Sequence, residues 1–191
     1  MTTRIAPIAL ALALACGCAS QAPPPTSAPG DPLATAPADD LFQRGVELRR
    51  AGDYIRAEQY LAAARDRGFE EERVVRELIG VCIDASRYQA ALGHAAPFLS
   101  RHPDDWALRY MVGSLYLATG DAARALPELE RVTSEHPEAP GPHYTLAVAY
   151  SERLDRPADA TVAFRTYLER APDGEHAAEA RAWLQRMEAA P

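Results

Sequence analysis

No lysine and no asparagine occurs anywhere in the chain, and all 20 of its basic residues are arginine. That skew reads as a coding bias, not a functional signal. Basic residues are not clustered either, and the formal net charge is −7. A nucleic-acid footprint needs a concentrated positive face, so nucleic acid is excluded as a partner. No apolar run approaches the roughly 20 residues that a membrane-spanning helix needs. The longest such run, Ile5 to Ala15, has eleven. Of 3 cysteines, only Cys82 lies in the part expected to fold. With no second thiol there, an intramolecular disulfide is excluded, and Cys82, on an apolar helix face, is expected to be a buried structural thiol. Catalytic signatures are missing as well: the chain has no Gly-rich phosphate loop, no HExxH and no GxSxG. The 5 histidines are scattered. Only His176 and Glu179 share a helix face with ligand-like spacing, and one such pair is too little for a metal site. The expectation is a protein that is not an enzyme and takes no cofactor and no metal.

What is present begins with an address. Arg4 supplies a positive n-region, Ile5 to Ala15 an apolar h-region, and Leu14-Ala15-Cys16-Gly17-Cys18-Ala19-Ser20 places small residues directly before cysteine. This fits a secretory signal over residues 1–17 and resembles the bacterial lipobox, whose cysteine is diacylglycerylated and becomes the new N-terminus. The resemblance implies lipidation at Cys18, with Cys16 as the alternative. Neither has the leucine that the family prefers three residues earlier. Several acyl chains, at about 0.8 kcal/mol for each buried CH₂, would hold the protein on a bilayer. No aspartate follows either cysteine, and by the same resemblance the expected location is the cell envelope, lipid-anchored at the outer membrane and facing the periplasm. From Cys18 to residue 37 proline, alanine, serine and threonine dominate. Such a stretch is expected to be a flexible tether, biased to extended polyproline geometry.

The remainder is repetitive. Alanine, leucine, arginine and glutamate dominate and β-branched runs are few, which favours helix. Ala57, Ala91, Ala125 and Ala160 follow at intervals of 34, 34 and 35 residues, and Phe69, Pro103, Pro137 and Pro172 keep the same intervals. Gly52-Asp53-Tyr54, Ser86-Arg87-Tyr88 and Gly120-Asp121-Ala122 occupy equivalent turns. The cleanest unit, Trp106 to Ala139, has Gly113 and Tyr116 on its first helix, Gly120-Asp121 at its turn, then Ala125, Leu129, Val132 and Pro137. On these residues the chain resembles the tetratricopeptide repeat, a 34-residue helix–turn–helix. The resemblance implies an all-α, right-handed α-solenoid of four units (38–71, 72–105, 106–139 and 140–174), with a capping helix and tail at 175–191. Three departures stand out. Ile79 replaces the small residue of the second unit's first helix, beside Gly80, so that helix is expected to be shifted. Pro97 and Pro127 fall inside second helices, where each should remove a hydrogen bond and kink the chain. One extra residue lies within Ser151–Ala158. The capping stripe is expected from Ala177, Ala180, Leu184 and Met187, with Trp183 beside it.

Stacked helix pairs leave a concave groove lined by first helices. By resemblance the groove positions are Phe42, Val46 and Arg49; Arg73, Arg76 and Ile83; Tyr110, Ser114 and Leu117; and Tyr144, Val148 and Glu152. The recurring aromatic serves packing or ligand contact equally well. Relatives that clamp the C-terminal carboxylate of chaperones use lysine, asparagine and arginine there, and a two-carboxylate clamp is not expected from this set. The function implied is a membrane-anchored scaffold binding a peptide or helix of another envelope protein. In type it is similar to lipoproteins that assist pilus-secretin or β-barrel assembly. The alternative is a regulatory or substrate-presenting subunit of a cell-wall enzyme.

Overall fold

The computed structural model describes residues 32–189. The signal peptide, Cys16, Cys18 and the first part of the tether lie outside the described residues. After a single turn, α1 (Pro32–Thr35), the chain forms helix pairs: α2 (Ala38–Arg50) with α3 (Tyr54–Asp66), α4 (Glu71–Asp84) with α5 (Tyr88–Arg101), and α6 (Trp106–Ala118) with α7 (Ala122–Glu135). In the fourth pair α8 (Pro140–Val148) continues as a π-helical turn (Ala149–Arg153) before α9 (Pro157–Arg170), and α10 (Ala177–Glu188) closes the array. This is the four-unit α-solenoid with a terminal cap.

Each turn between paired helices is built on one left-handed residue: Gly52 (φ 77°), Ser86 (φ 57°), Gly120 (φ 82°) and Asp155 (φ 49°). In three of them the next residue donates back to a carbonyl five positions earlier, as Asp53 to Leu48, Arg87 to Cys82 and Asp121 to Tyr116. That bond closes the first helix and absorbs an otherwise orphaned carbonyl. Asp53 and Asp121 then start the second helix, their side chains accepting from Arg56 N and Arg124 N. In the fourth unit Arg156 N reaches Tyr150 O, six positions back. The extra residue is thus taken up between them, where the helix widens into the π turn.

The second unit is not shifted, because its packing exchanges sizes across the helix pair. In the first and third units a Cβ on Gly45 would lie 2.7 Å from Leu61 Cγ, and one on Gly113 would lie 2.9 Å from Leu129 Cγ. Glycine on the first helix is required by leucine on the second. In the second unit the corresponding residues are Ile79 and Ala95, both fully buried in one cluster. Large and small have traded places, and the helix separation is kept at nearly constant core volume. Gly80 serves something else: a Cβ there would lie 2.2–2.4 Å from the Arg49 guanidinium.

Both internal prolines are tolerated for a common reason. α5 and α7 run through Pro97 and Pro127 without a break. The carbonyls they free, four residues back, belong to Gly93 and Ala123, and all four residues are exposed. Exposure leaves these carbonyls open to solvent, which offsets the lost donor. The carbonyl of each closing proline is held by the next helix: Pro103 O by Arg109 Nη2, Pro137 O by His143 Nε2, and Pro172 O by Arg181 Nη2.

The ends differ from the sequence-based expectation. Residues 32–37 are drawn into the fold: Leu33 and Ala36 pack against the first core cluster, and Arg67 Nη2 donates to Leu33 O at 2.5 Å. At the other end Ala177 and Ala180 are buried and Leu184 is partly buried, but Met187 is 39% exposed. Trp183 instead belongs to the packing face, its ring 5.0 Å from that of Phe164. Beyond α10, on which Met187 sits, there is no further helix among the described residues for it to pack against.

Candidate functional site

One register position on the first helices α2, α4, α6 and α8 reaches toward the residues that lead into or form the next helix pair or the cap. Phe42 is 4% exposed and stacks on Phe69 at 4.2 Å, with the Arg73 guanidinium 4.7 Å from its centroid. Thirty-four residues on, Arg76 reaches Asp105 at 2.6 Å. Tyr110 hydrogen-bonds Thr145 Oγ1 at 2.9 Å and packs over Gly141. Tyr144 donates to Glu179 at 2.7 Å and stacks on His176 at 3.9 Å. The recurring aromatic therefore joins neighbouring repeats. Burial, and then the Glu179 carboxylate, push the Tyr144 phenol well above its ordinary value, so it stays a neutral donor. His176 and Glu179, the one ligand-like pair visible in the sequence, are both spent on this tyrosine.

The expected groove residues consequently divide into two groups. In the C-terminal half, Ser114 Oγ donates to Tyr110 O at 2.9 Å. Leu117 and Val148 pack against the core, as does Ile83 in α4. Glu152 is exposed on the π turn. The N-terminal half is open. Phe42, Val46, Arg73 and Arg76 line a cleft of about 280 Å³ together with Gln43, Arg50 and Glu77. A neighbouring hollow of about 260 Å³ adds Arg49 and Asp84. A larger one, about 560 Å³, sits outside this face at the Ser86–Tyr88 turn and Thr119, where no charged groups converge except Arg87.

Charges in the cleft are not equivalent. Arg49 crosses α4 at Gly80, donating from Nε to Asp84 at 2.7 Å and from Nη1 to Glu77 at 2.9 Å. It is a bracket between α2 and α4. Arg76 is held by Glu72 at 2.9 Å and Asp105 at 2.6 Å. Arg50 and Arg73 are exposed and make no ion pair among the described residues. Both line the cleft with Phe42 and Val46, Arg73 lying over the Phe42 ring, so the cleft presents two guanidinium groups without carboxylate partners, which suit carboxylates. Arg50 was missed from the sequence because the Arg49-Arg50 doublet was assigned to the groove through its first member. One residue further around the helix is the free one.

No metal site was expected from residue spacing. The fold nevertheless brings Glu58 of α3, Cys82 of α4 and His94 of α5 together, with one ligand atom of each within 4.8 Å of the others. Cys82 is buried and its thiol donates to Glu58 Oε1 at 3.2 Å, while Arg87 Nη2 lies 2.6 Å from the same oxygen. Separations of 24 and 12 residues on three different helices carry no motif.

No curated protein matches the chain. Two tetratricopeptide-repeat family models do, over residues 116–184 and 83–140. Among solved structures, YrrB, a TPR protein with an unusual peptide-binding site, superposes with a TM-score of 0.67 at 19% identity, covering 76% of this chain and 74% of its own. MamA of MSR-1 gives 0.62 at 20% identity, over 79% and 86% of the two chains. A fragment of MamA, from residue 41 to its end, from Desulfovibrio magneticus RS-1 gives 0.62 at 20%, over 80% and 97%. Such identities speak to the fold. With the matched models, the shared turn, the glycine–leucine exchange and the proline-closed units, they make this chain a tetratricopeptide-repeat protein.

Proposed function

We propose that this protein is a membrane-anchored adaptor whose cleft between α2 and α4 binds a carboxylate-bearing, extended or helical segment of another envelope protein. Tetratricopeptide-repeat arrays serve as protein-interaction scaffolds, and the peptide-binding site of YrrB shows that a similar fold can carry one. The observation that carries the proposal is the pair Arg50 and Arg73, exposed and without a carboxylate partner among the described residues, lining one cleft with Phe42 and Val46. An acidic side chain or chain terminus gains two charge-assisted hydrogen bonds there, and its neighbouring apolar side chain gains contact with Phe42 and Val46. The lipobox-like N-terminus supports the envelope setting and the outer-membrane placement.

Fluorescence polarisation with labelled acidic, neutral and basic peptides tests the cleft. Acidic peptides are expected to bind best and to weaken as salt is raised. The Arg50→Glu/Arg73→Glu variant is expected to weaken them about tenfold, as two exposed charge contacts should. Equal binding by wild type and variant would move the ligand elsewhere. For the anchor, Cys18→Ser is expected to abolish incorporation of labelled palmitate. Labelling that persists in Cys18→Ser and is lost in Cys16→Ser would assign the lipid to Cys16. Persistence in both would remove the anchor from the proposal.

A further inference from the structure

Outside the cleft, Glu58, Cys82 and His94 are the one group of three His, Cys, Asp or Glu side chains among the described residues whose ligand atoms converge. It lies at the junction of the first two repeats, where α4 packs between α3 and α5. We propose that these three residues form a Zn²⁺ site that ties α3, α4 and α5 together.

Donor chemistry favours that ion. Thiolate, imidazole and carboxylate together suit zinc, a borderline-soft cation with no geometric demand of its own. Hard cations such as Mg²⁺ and Ca²⁺ prefer all-oxygen shells. Tetrahedral zinc bonds of the usual lengths place donor atoms roughly 3.3–3.8 Å apart. The three donors lie within 4.8 Å of one another, and the Cys82 Sγ–Glu58 Oε1 pair is already at 3.2 Å. Small side-chain rotations suffice to close the rest. Three protein ligands leave a fourth position, and Glu58 and His94 are only partly buried, so water can reach it.

The protonation states without metal are consistent with a site that exchanges protons for zinc. Burial, and then the Glu58 carboxylate, push the Cys82 thiol up to about 12, so it is protonated when the site is empty. Burial holds His94 below its ordinary value, with Arg65 and Arg87 working in the same direction against Glu58, so its imidazole lone pair is available near neutrality. Zinc binding would release the Cys82 proton to solvent. Arg87, whose side chain is 41% exposed, neutralises Glu58 while no metal is bound and can turn to water when one is. A metal here would fix α3 relative to α4 and so set the width of the cleft, whose α2 and α4 walls those elements support.

The test uses the full chain with Cys16→Ser and Cys18→Ser, so that Cys82 is the only thiol. After removal of metals by chelator, Co²⁺ is titrated as a spectroscopic substitute and then displaced by Zn²⁺. The expected result is a near-ultraviolet thiolate-to-cobalt charge-transfer band and intense visible bands of a tetrahedral ion, saturating at one equivalent. Zn²⁺ should reverse both. Cys82→Ala should abolish the charge-transfer band. His94→Gln and Glu58→Gln, on partly exposed positions, should each weaken Zn²⁺ binding at least tenfold while circular dichroism stays that of the folded array. Absence of the charge-transfer band in the parent chain overturns the proposal, and so does Zn²⁺ affinity unchanged by His94→Gln. Neither outcome bears on peptide binding at Arg50 and Arg73.

Discussion

Ile79→Gly is expected to destabilise the protein by about 4 kcal/mol, the cost of emptying a large buried site plus that of glycine inside a helix. Ile79 is fully buried, as is Ala95 across from it. Filling the opposite position alone, with Ala95→Leu, should overpack the same space and cost about 2 kcal/mol. The double variant Ile79→Gly/Ala95→Leu reproduces the pairing of Gly45 with Leu61 and of Gly113 with Leu129. It is therefore expected to lose only about 2 kcal/mol in total, where independent effects would add to about 6. Urea denaturation of the four proteins measures this. Additive losses would show that Ile79 and Ala95 do not share one space. Against a typical total stability of roughly 5–15 kcal/mol, the single Ile79→Gly change alone removes a large part of what holds the array.

The second large effect belongs to Glu128. Its carboxylate accepts from Arg109 Nη1 at 2.6 Å, and the Arg109 side chain is only 8% exposed. Arg109 Nη2 is satisfied by Pro103 O at 2.5 Å, while Nε has no partner. Glu128→Ala leaves the Arg109 guanidinium in a nearly dry site with one carbonyl for company, and should cost about 3 kcal/mol. Arg109→Met removes the buried charge itself. The Glu128 side chain it leaves behind is 27% exposed and can hydrate, so the cost should be nearer 1 kcal/mol. The asymmetry is the test: thermal or urea unfolding in which Arg109→Met is the more damaging change would mean that Arg109 contributes through packing, not through its pair.

Much of the fold is legible in the sequence itself. The 34-residue interval, the proline closures and the Gly-Asp turns are local signals, because each residue acts on backbone within a few positions of itself. Gly52 and Gly120 take the left-handed turn conformation without steric cost, and Asp53 and Asp121 cap the helix that follows. The second repeat was harder. Ile79 looks like a departure when read alone, and only its pairing with Ala95 shows that the helix spacing is preserved. The cap was half legible: Ala177 and Ala180 fell where expected, while Met187 stayed exposed and Trp183 packed.

The site was less legible than the scaffold. Periodicity places Phe42, Arg76, Tyr110 and Tyr144 at one register position, 34 residues apart. It could not tell whether their side chains turn to a ligand or to the next repeat. That depends on partners 27 to 35 residues away, such as Phe69 for Phe42 and Thr145 for Tyr110. Nor could it separate Arg49, pinned by Glu77 and Asp84, from Arg50, which is free of ion pairs among the described residues.

The amino-acid sequence by itself determined the repeat, its turns and its closures, because helix period, turn conformation and capping are decided by near neighbours along the chain. Only the tertiary structure decided which groove residues are spent on packing, where the open cleft lies, and that Glu58, Cys82 and His94 meet. Those outcomes depend on how whole helices stack, and stacking is set by summed side-chain volumes across repeats, which no single stretch contains.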